Sequence, residues 1–514
     1  MRQAVLVLLA FLFSTPLQSC QEKGNGNPYT PAVALEVAPG RIDMNAGGGE
    51  TSFTVTASQK PYIVGAYNWC STKNSAFAGN KMTVTVSVAE NKTTEARQAQ
   101  FSVVCGDEKK YVDIVQKGRA EQSVDEFLDS PQLPDNQAAK MSGKLGFGWN
   151  LGNQMDAMNG GVSSETAWGN RPCTQQTFNS LKSKGFSTVR IPVTWMGHIG
   201  AAPEYKIDDA WMNRVAEIVG YAKTAGLNAI VNIHHDDSPA DGWLSVRKAA
   251  ADDSYKTEML AKYTAVWKQI AQRFADEDEW LVFESYNELQ DGKWGYGDNL
   301  TDGGRQYGVV NELAQAFVNT VRSSGGKNAG RYISVLGYSA APSFTMDKLV
   351  LPTDTAEGRL MVSVHFYDPS GYALGQNGTS TEWGHTGADG KKESWHSEKN
   401  VIETFRMLKE TFIDRDIPVY IGECGAVNRN DARAKAFQQY WFEFVFKAAK
   451  EYGFSPVVWD NGAKGSGKES FGFIDHATGE YINGSKAVID TMNKAFNTED
   501  EAYTLKTVYD NAPK

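Results

Sequence analysis

Residues 30–117 contain short segments in which apolar and polar residues alternate. Residues 83–88 read Thr-Val-Thr-Val-Ser-Val, and a similar alternation returns over residues 111–115. Alternation with a period of two puts every second side chain on one face, which is typical of strands with one buried face. Glycines 47–49 and residues 90–92 separate these segments as turns do. We therefore predict a small all-β, immunoglobulin-like sandwich over residues 33–117.

A different pattern begins near residue 137. Apolar runs rich in Val, Ile, Phe and Tyr alternate there with longer stretches of helical periodicity, such as residues 209–225 and 432–452. Strands that alternate with helices form a parallel sheet, and eight such units predict a TIM (β/α)8 barrel over residues 137–514. A polar, proline-containing linker over residues 118–136 would join it to the sandwich. The predicted strands are residues 145–151, 188–195, 228–235, 281–288, 332–338, 360–367, 419–423 and 456–459.

Two of the predicted barrel strands end in a glutamate, Glu288 and Glu423. A buried carboxylate is costly unless it is paired or has a chemical role. The C-terminal strand ends carry the active site in this fold, and two carboxyl groups there are what glycoside hydrolysis needs. Glu284, four residues before Glu288, would lie lower in the barrel, so we expect it to be a hydrogen-bonded interior residue.

Several motifs, in the order of the barrel strands, resemble those of glycoside hydrolase family 5. The resemblance covers roughly residues 137–500 and implies a retaining mechanism, with the catalytic carboxyl groups about 5–5.5 Å apart. The residues that carry it are Arg190 in Val-Arg-Ile-Pro, His234 and His235 in Ile-His-His, Asn287 and Glu288 in Asn-Glu, His365 and Tyr367 in His-Phe-Tyr, Glu423 in Ile-Gly-Glu, and Trp459.

The resemblance also implies a role for each catalytic residue. Glu423 would be the nucleophile, kept ionised by Arg190 and by the hydroxyl of Tyr367. Glu288 would be the acid/base, with its pKa raised by the nearby charge of Glu423.

The remaining matched residues are expected to bind or support the sugar. Asn287 would hydrogen-bond the 2-OH, His365 would support the acid/base, and Trp459 would stack on a sugar ring. The run from His234 and His235 into two aspartates also has the composition of a metal site. Because adjacent strand residues point to opposite faces, we expect no metal there, and no cofactor.

The sandwich resembles a BACON domain, a module of surface carbohydrate-active lipoproteins. The matching segments are Tyr-Asn-Trp at 67–69, the turn at 91–94 with Arg97, and the closing run at 112–116. Trp69 could be a sugar-stacking platform, but a core position is the expectation, with the domain acting as a spacer. Cys70 and Cys105 could form a disulfide or remain two buried thiols.

The first residues have the features of a targeting signal. Arg2 precedes an apolar segment over residues 4–13, which is too short to span a bilayer. Residues 17–20, Leu-Gln-Ser-Cys, resemble a bacterial lipobox in which Cys20 is lipidated; a plain signal peptide is the alternative. We therefore expect a signal peptide over 1–19, a tether over 20–32, and a protein anchored in the outer membrane, facing outside.

Composition restricts the partners. The 514 residues carry a net charge of −10, which argues against nucleic acid or an anionic membrane surface as a ligand. A neutral polysaccharide is compatible with that charge, and we expect a monomer bound to the membrane only through its lipid.

Aromatic residues after the predicted strands suit stacking on glucose rings in an open cleft, although about half are expected to be packing residues. They are Trp149, Trp168, Trp243, Trp294, Tyr296, Trp383 and Trp395.

Three functions fit these features. The first is a retaining endo-β-1,4-glucanase that acts on xyloglucan, since residues 148–153 and the long loop over 368–399 resemble the subfamily that includes xyloglucanases. The second is the same enzyme class acting on mannan, xylan, cellulose or mixed-linkage glucan. The third is a non-catalytic glycan-capture lipoprotein, and the paired glutamates argue against it.

Overall fold

The computed structural model describes residues 34–514 apart from residues 66, 121–122, 239–241, 377 and 396. The chain forms two compact units, one on each side of residues 121–122. The predicted signal peptide, the tether and Cys20 lie outside the described residues. Among the helices that are described, none is long and apolar enough to cross a membrane.

The first unit is an all-β sandwich, as predicted. Its two four-stranded sheets have the orders β1-β3-β6-β5 and β2-β8-β7-β4. Inward side chains of both sheets, such as Val84 and Phe101, form one core. The strands are β1 (Leu35–Ala38), β2 (Arg41–Met44), β3 (Gly49–Ala57), β4 (Tyr62–Val64), β5 (Cys70–Asn74), β6 (Lys81–Val88), β7 (Arg97–Cys105) and β8 (Glu108–Gln116).

The residues singled out in the sandwich are in its core or at its edge. Cys70 and Cys105 are both buried free thiols. Trp69 is partly buried rather than fully enclosed, and the guanidinium of Arg97 lies over its ring, 4.3 Å from the centroid. One face of this tryptophan is therefore covered by a side chain of its own domain.

The second unit is a closed parallel barrel, which confirms the predicted fold. In chain order its strands are β9, β12, β13, β14, β15, β16, β17 and β18, and β18 pairs with β9 to close the ring. The strands of this unit are β9 (Gly148–Asn150), the hairpin β10 (Met158–Asn159) and β11 (Val162–Ser163), β12 (Thr188–Ile191), β13 (Asn228–Asn232), β14 (Leu281–Glu284), β15 (Ile333–Leu336), β16 (Leu360–Phe366), β17 (Val419–Cys424) and β18 (Ser455–Val458).

Amphipathic helices surround the barrel. Helix α4 begins and ends as the periodicity predicts, and its Val215, Ile218 and Ala222 are buried towards the strands. The helices are α1 (Val124–Leu128), α2 (Gln137–Leu145), α3 (Gln175–Ser183), α4 (Asp209–Ala225), α5 (Val246–Ala251), α6 (Asp253–Arg273), α7 (Arg305–Ser323), α8 (Pro342–Lys348), α9 (Ser370–Ala373), α10 (Glu398–Thr411), α11 (Ala432–Glu451), α12 (Lys486–Asn497) and α13 (Leu505–Asp510).

The inside of the barrel changes from apolar to polar along the strands. Near the N-terminal ends, inward residues such as Ile230 and Val282 cluster with Met141 and Leu145 of α2. Two residues further along β13 and β14, the inward positions are the buried polar residues Asn232 and Glu284. Polar side chains therefore fill the half of the barrel that faces the C-terminal strand ends, where the active site of this fold lies.

Candidate active site

A break in strand register brings Glu423 into the barrel mouth. Strict alternation would put Glu423 on the same face as Ile421, which packs outward in the main core. Val364 of β16 pairs with Ile421, but the next residue, His365, pairs with Glu423, so Gly422 is an extra residue. Such a bulge redirects the side chains that follow it. It turns Glu423 towards His365 at the strand ends.

Glu288 lies beyond its strand rather than at its end. Strand β14 ends at Glu284, and Glu288 is four residues further on, in the segment that leaves the barrel. Its Oε1 lies 2.6 Å from Nδ1 of His365, which lies 3.7 Å from Oε2 of Glu423. One oxygen of each glutamate and a ring nitrogen of His365 all lie within 4.8 Å of one another. The two predicted catalytic glutamates therefore meet at one point.

Arg190 is the centre of the hydrogen-bond network below them. Its Nη1 donates to Oε1 of Glu423 at 2.7 Å and to the side-chain oxygen of Asn150 at 2.9 Å. Its Nε and Nη2 both donate to Oε1 of Glu284, at 3.0 and 2.7 Å. Nη2 also donates to the side-chain oxygen of Asn287 at 2.9 Å. All of its nitrogens are thus used to orient acidic or amide oxygens.

Glu284 is a satisfied interior residue. Besides Arg190, it accepts hydrogen bonds from Nδ2 of Asn232 at 2.9 Å and from the hydroxyl of Tyr420 at 2.5 Å. Burial alone would raise the pKa of Glu284, but the Arg190 guanidinium and these hydrogen bonds hold it below its ordinary value. It is therefore an ionised partner of Arg190 rather than a second proton donor.

Burial raises the pKa of Glu288 to about 7. The expected cause was the charge of Glu423, but the further carboxyl groups that raise it are Glu284 and Glu469, while Arg190 lowers it. The sequence could not reveal this, because Glu469 lies on the loop after β18, far along the chain. A carboxyl group with this pKa carries a proton through much of the neutral range, as a general acid must.

Burial raises the pKa of Glu423 as well, and His365 and the Arg190 guanidinium oppose that rise. The hydroxyl of Tyr367 donates to its Oε2 at 2.9 Å. Both of its oxygens therefore accept hydrogen bonds that strengthen when the carboxyl is charged, which favours the ionised form.

Asn287 is held with its amide nitrogen available. Its side-chain oxygen accepts from Arg190, so the donor end of the amide points elsewhere, and the residue is buried beside Glu288. This arrangement leaves an N–H group to donate to a sugar hydroxyl.

The two histidines after β13 lie side by side, and the expectation that they face opposite sides was wrong. The strand ends at Asn232, so strand alternation no longer governs His234 and His235. Their ring centroids are 4.3 Å apart, and one ligand atom of each lies within 4.8 Å of an oxygen of Asp156. The ring of Trp459 lies parallel to that of His234, with 5.9 Å between centroids.

The residues that the sequence did not single out are buried partners rather than reacting groups. Asn150, Asn232 and Tyr420 each bond to Arg190 or Glu284. Strand alternation could have identified Asn150 and Asn232, because each lies two residues from another position that points into the barrel. Tyr420 and Glu423 are three residues apart and both face inward only because of the bulge at Gly422, so no simple period connects them.

The aromatic residues near the strand ends divide into packing and exposed groups. Trp149 and Trp383 are buried, and Trp149 donates to Asp460 at 2.7 Å. Trp243 is partly buried and donates to Asp236. The exposed ones are Trp168, Trp294, Tyr296 and Trp395.

The comparisons with known proteins agree with this geometry. The cellulase family, glycosyl hydrolase family 5, matches residues 152–465. The chain belongs to glycoside hydrolase family 5. The BACON family, whose description is "Putative binding domain, N-terminal", matches residues 58–117. The protein is thus a family 5 endoglucanase that acts on a polysaccharide and carries an N-terminal BACON domain.

Three relatives illustrate the similarity. Endoglucanase A of Paenibacillus barcinonensis is 35% identical over 343 residues, which cover 64% of this chain and 83% of that protein. A xyloglucan-specific endo-β-1,4-glucanase of Bacteroides ovatus is 29% identical over 478 residues, 89% of this chain and 91% of that protein. The solved structure of a broad-specificity endoglucanase from Bacteroides salanitronis is 48% identical with a TM-score of 0.69, covering 74% of this chain and 100% of the other.

Proposed function

We propose that this family 5 enzyme is a retaining, endo-acting β-1,4-glucanase that cleaves the backbone of xyloglucan at the cell surface. The observation that carries the mechanism is the approach of Glu288 and Glu423, because one carboxyl oxygen of Glu288 lies within 4.8 Å of one carboxyl oxygen of Glu423, beside His365. Retaining enzymes have carboxyl groups about 5–5.5 Å apart, whereas inverting enzymes leave room for a water at about 6.5–9.5 Å. The short separation supports a covalent intermediate.

In the first half of the reaction, an oxygen of ionised Glu423 attacks the anomeric carbon while Glu288 gives its proton to the departing glycosidic oxygen. A carbon–oxygen bond to the leaving chain breaks, and an ester bond to Glu423 forms. Glu288 is then a carboxylate and can take a proton from water as that water attacks the same carbon and releases Glu423. Glu423 is then a carboxylate again and accepts charged hydrogen bonds from Arg190 and Tyr367.

Two observations support a branched glucan as the substrate. The Bacteroides ovatus xyloglucanase matches across most of this chain, the N-terminal domain included, and not only across the barrel. A cavity of about 370 Å³ is lined by Trp168, by the amide side chains Asn153, Asn170 and Asn461, and by the charged side chains Arg171, Lys464 and Asp475. A tryptophan ring with hydrogen-bonding side chains around it is a suitable environment for a pendant sugar beside the main chain.

The competing function is a broad-specificity endoglucanase, and the similarity to the Bacteroides salanitronis enzyme favours it. Release of reducing ends from tamarind xyloglucan, carboxymethylcellulose, barley glucan and glucomannan separates the two. Our proposal predicts a kcat/KM on xyloglucan well above that on the unbranched glucans. Comparable values on all four would favour the broad enzyme.

Variants link that activity to the site. Glu288→Gln and Glu423→Gln are expected to abolish turnover of every glucan without unfolding the barrel. The control is Glu480→Gln, which changes an exposed glutamate outside the hydrogen-bond network of Arg190 and should keep wild-type rates. Activity in either catalytic variant would contradict the proposed roles.

The proposed surface location rests on the sequence around Cys20. Lipidation there would tether the enzyme to the outer membrane by a flexible segment. Metabolic labelling with a palmitate analogue should mark the wild-type chain and not the Cys20→Ser variant, and protease treatment of intact cells should remove the wild-type protein. An unlabelled wild-type chain, or one that intact cells protect, would contradict this location.

A further inference from the structure

We propose that Ser363 is a positioning residue of the active site, whose hydroxyl holds His365 in the tautomer that carries its proton on Nδ1. Ser363 lies on β16, two residues before His365, so strand alternation turns both side chains into the barrel. The inference rests on the proposed acid/base role of Glu288, which His365 contacts. It is independent of which glucan the enzyme prefers.

Two buried polar atoms at this place have no hydrogen-bond partner among the described residues. They are Oγ of Ser363 and Nε2 of His365. Ser363 is fully buried and His365 is 6% exposed, so bulk water does not satisfy either atom. Most buried polar atoms in folded proteins are hydrogen-bonded, because an unpaired one is costly. Two such atoms in one place therefore indicate an interaction between them.

The space beside Gly422 brings the two atoms together. A Cβ atom placed on Gly422 would lie 2.5 Å from Oγ of Ser363 and 3.3 Å from Nε2 of His365. The two atoms therefore surround one point, and any larger residue at 422 would collide with the serine hydroxyl. A rotation of the Ser363 side chain, or one bridging water, would complete a hydrogen bond between them.

The hydroxyl is expected to donate in this hydrogen bond, because the other acceptor at the same point is already occupied. That acceptor is Oε2 of Glu284, which would lie 3.4 Å from the Cβ atom placed on Gly422. The Glu284 carboxylate accepts two hydrogen bonds from Arg190 and two more from neutral side chains. Four is about the number that a carboxylate can accept. The hydroxyl proton of Ser363 is therefore left to Nε2 of His365.

The contact on the other side of the imidazole requires the same tautomer. Nδ1 of His365 lies 2.6 Å from Oε1 of Glu288. When Glu288 is a carboxylate, its oxygens can only accept, so a hydrogen bond of this length needs a proton on Nδ1. Burial lowers the pKa of His365 to about 4, and the neutral ring carries a single proton. Nε2 is then an acceptor, which the Ser363 hydroxyl would satisfy.

This tautomer keeps the acid proton of Glu288 directed at the glucan. While Nδ1–H of His365 donates to Oε1, the carboxyl proton stays on Oε2, from which the leaving oxygen can take it. If the ring proton were on Nε2, the bare Nδ1 atom would accept a hydrogen bond from the Glu288 carboxyl instead. Ser363 would thus exclude a tautomer that competes with the leaving group for the same proton.

The pH profile should respond in a defined direction. A hydrogen bond donated to the Glu288 carboxylate stabilises its charged form, so loss of that hydrogen bond raises the pKa of Glu288. Ser363→Ala is therefore expected to move the basic limb of kcat/KM to higher pH, whereas removal of a nearby carboxylate would move it to lower pH. The charged or titratable groups that act on this pair, all unchanged in the variant, are Arg190, Asp237, Glu284, Glu423 and Glu469.

Two kinds of substrate separate this role from a general packing defect. Tamarind xyloglucan and cellohexaose have a sugar leaving group that must be protonated, whereas dinitrophenyl β-cellobioside releases a phenolate that needs no proton. In Ser363→Ala, kcat/KM should fall about three- to ten-fold on the glucans, the range for one lost hydrogen bond, and by less than about two-fold on the aryl glycoside. Ser363→Thr, which keeps the hydroxyl, should recover most of the loss.

Ser285→Ala is the matched control. The hydroxyl of Ser285 is likewise buried and unpaired within the part of the chain that the structure describes. Ser285 follows the inward residue Glu284, so its side chain points away from the barrel interior. This variant should leave every substrate and the pH profile unchanged, and melting temperatures establish that each variant is folded. Equal losses on the glucans and the aryl glycoside in Ser363→Ala would overturn the proposal.

The tautomer can also be read directly, without activity. The chain has 7 histidines, so NMR of the isotope-labelled histidine nitrogens can distinguish Nδ1–H from Nε2–H, and His365→Gln assigns the signals. We expect Nδ1–H in the resting wild-type enzyme and a population of Nε2–H in Ser363→Ala. A wild-type His365 protonated on Nε2, or an unchanged tautomer in the folded variant, would overturn the proposal. Turnover by Glu288→Gln would refute the proposed acid role, and the tautomer measurement would still stand.

Discussion

The Nδ1 atom of His365 lies 2.6 Å from Oε1 of Glu288 and 3.7 Å from Oε2 of Glu423. Burial lowers the pKa of His365 to about 4, so the imidazole is neutral in the working range of a glycoside hydrolase. A neutral ring with its proton on Nδ1 would donate to Oε1 of Glu288 and leave Oε2 of that carboxyl to carry the proton for the leaving group. In that tautomer, His365 orients the acid.

The acid/base residue should set the basic limb of the pH profile. Because burial raises the pKa of Glu288 to about 7, kcat/KM is expected to fall as pH rises through that value, where the proton donor is lost. The Glu469 carboxylate contributes to the raised pKa, so Glu469→Gln should move this limb to lower pH. Initial rates from pH 5 to 9 would check it, with Glu480→Gln as control. A limb that stays in place in Glu469→Gln would contradict this electrostatic account.

Arg190 is expected to be essential for stability as well as for activity. Arg190→Met leaves Glu284 and Glu423 buried without their cation, which should lower the free energy of unfolding by about 3–5 kcal/mol. Arg171→Met is the control, since Arg171 pairs with Asp475 on the surface and should cost about 0–1 kcal/mol. Chemical denaturation of both variants measures the difference. Equal small losses would show that the buried network is not stabilising.

We predict that catalysis needs no metal, although Asp156, His234 and His235 lie close together. Both oxygens of Asp156 already accept backbone N–H groups, from Asn153 at 3.0 Å and from Gln154 at 2.7 Å. Dialysis against EDTA should therefore leave kcat/KM unchanged. A loss that one divalent ion restores, with no change in melting temperature, would contradict the prediction.

The N-terminal domain is expected to act as a spacer. The two units have separate cores, so deletion of residues 30–118 should leave activity on soluble xyloglucan nearly unchanged. Because Arg97 covers one face of Trp69, this ring is a poor stacking platform.

Affinity electrophoresis of the isolated domain on xyloglucan and hydroxyethylcellulose tests this role, and no shift is expected. A shift that disappears in a folded Trp69→Ala variant would make the domain a glycan-binding module instead.

The sequence predicted the barrel because buried parallel strands are continuous apolar runs, and all eight were found. The strand ends were less predictable. Strand pairing stops at Asn232 and Glu284, whereas the predicted strands extended to His235 and Glu288, which lie in the loops beyond. Periodicity cannot distinguish a strand from the buried turn that follows it.

The chemistry of the site depended partly on contacts that no local pattern encodes. Family motifs identified Arg190, Glu288 and Glu423, but the bulge at Gly422 and the approach of Glu469 arise from pairing between distant segments. The orientation of His234 beside His235 is likewise set by the loop beyond β13. The strand register at Gly422 and the effect of Glu469 on the pKa of Glu288 could be known only from the structure.

The stereochemistry of the first product tests the central claim most directly. If Glu423 forms a covalent intermediate and Glu288 then activates water, the β-linked glucan must yield its β-anomer before mutarotation. Proton NMR of the anomeric signals during the first minutes of hydrolysis would show this order. Initial appearance of the α-anomer would mean inversion, and it would contradict the nucleophile role of Glu423 and the acid/base role of Glu288.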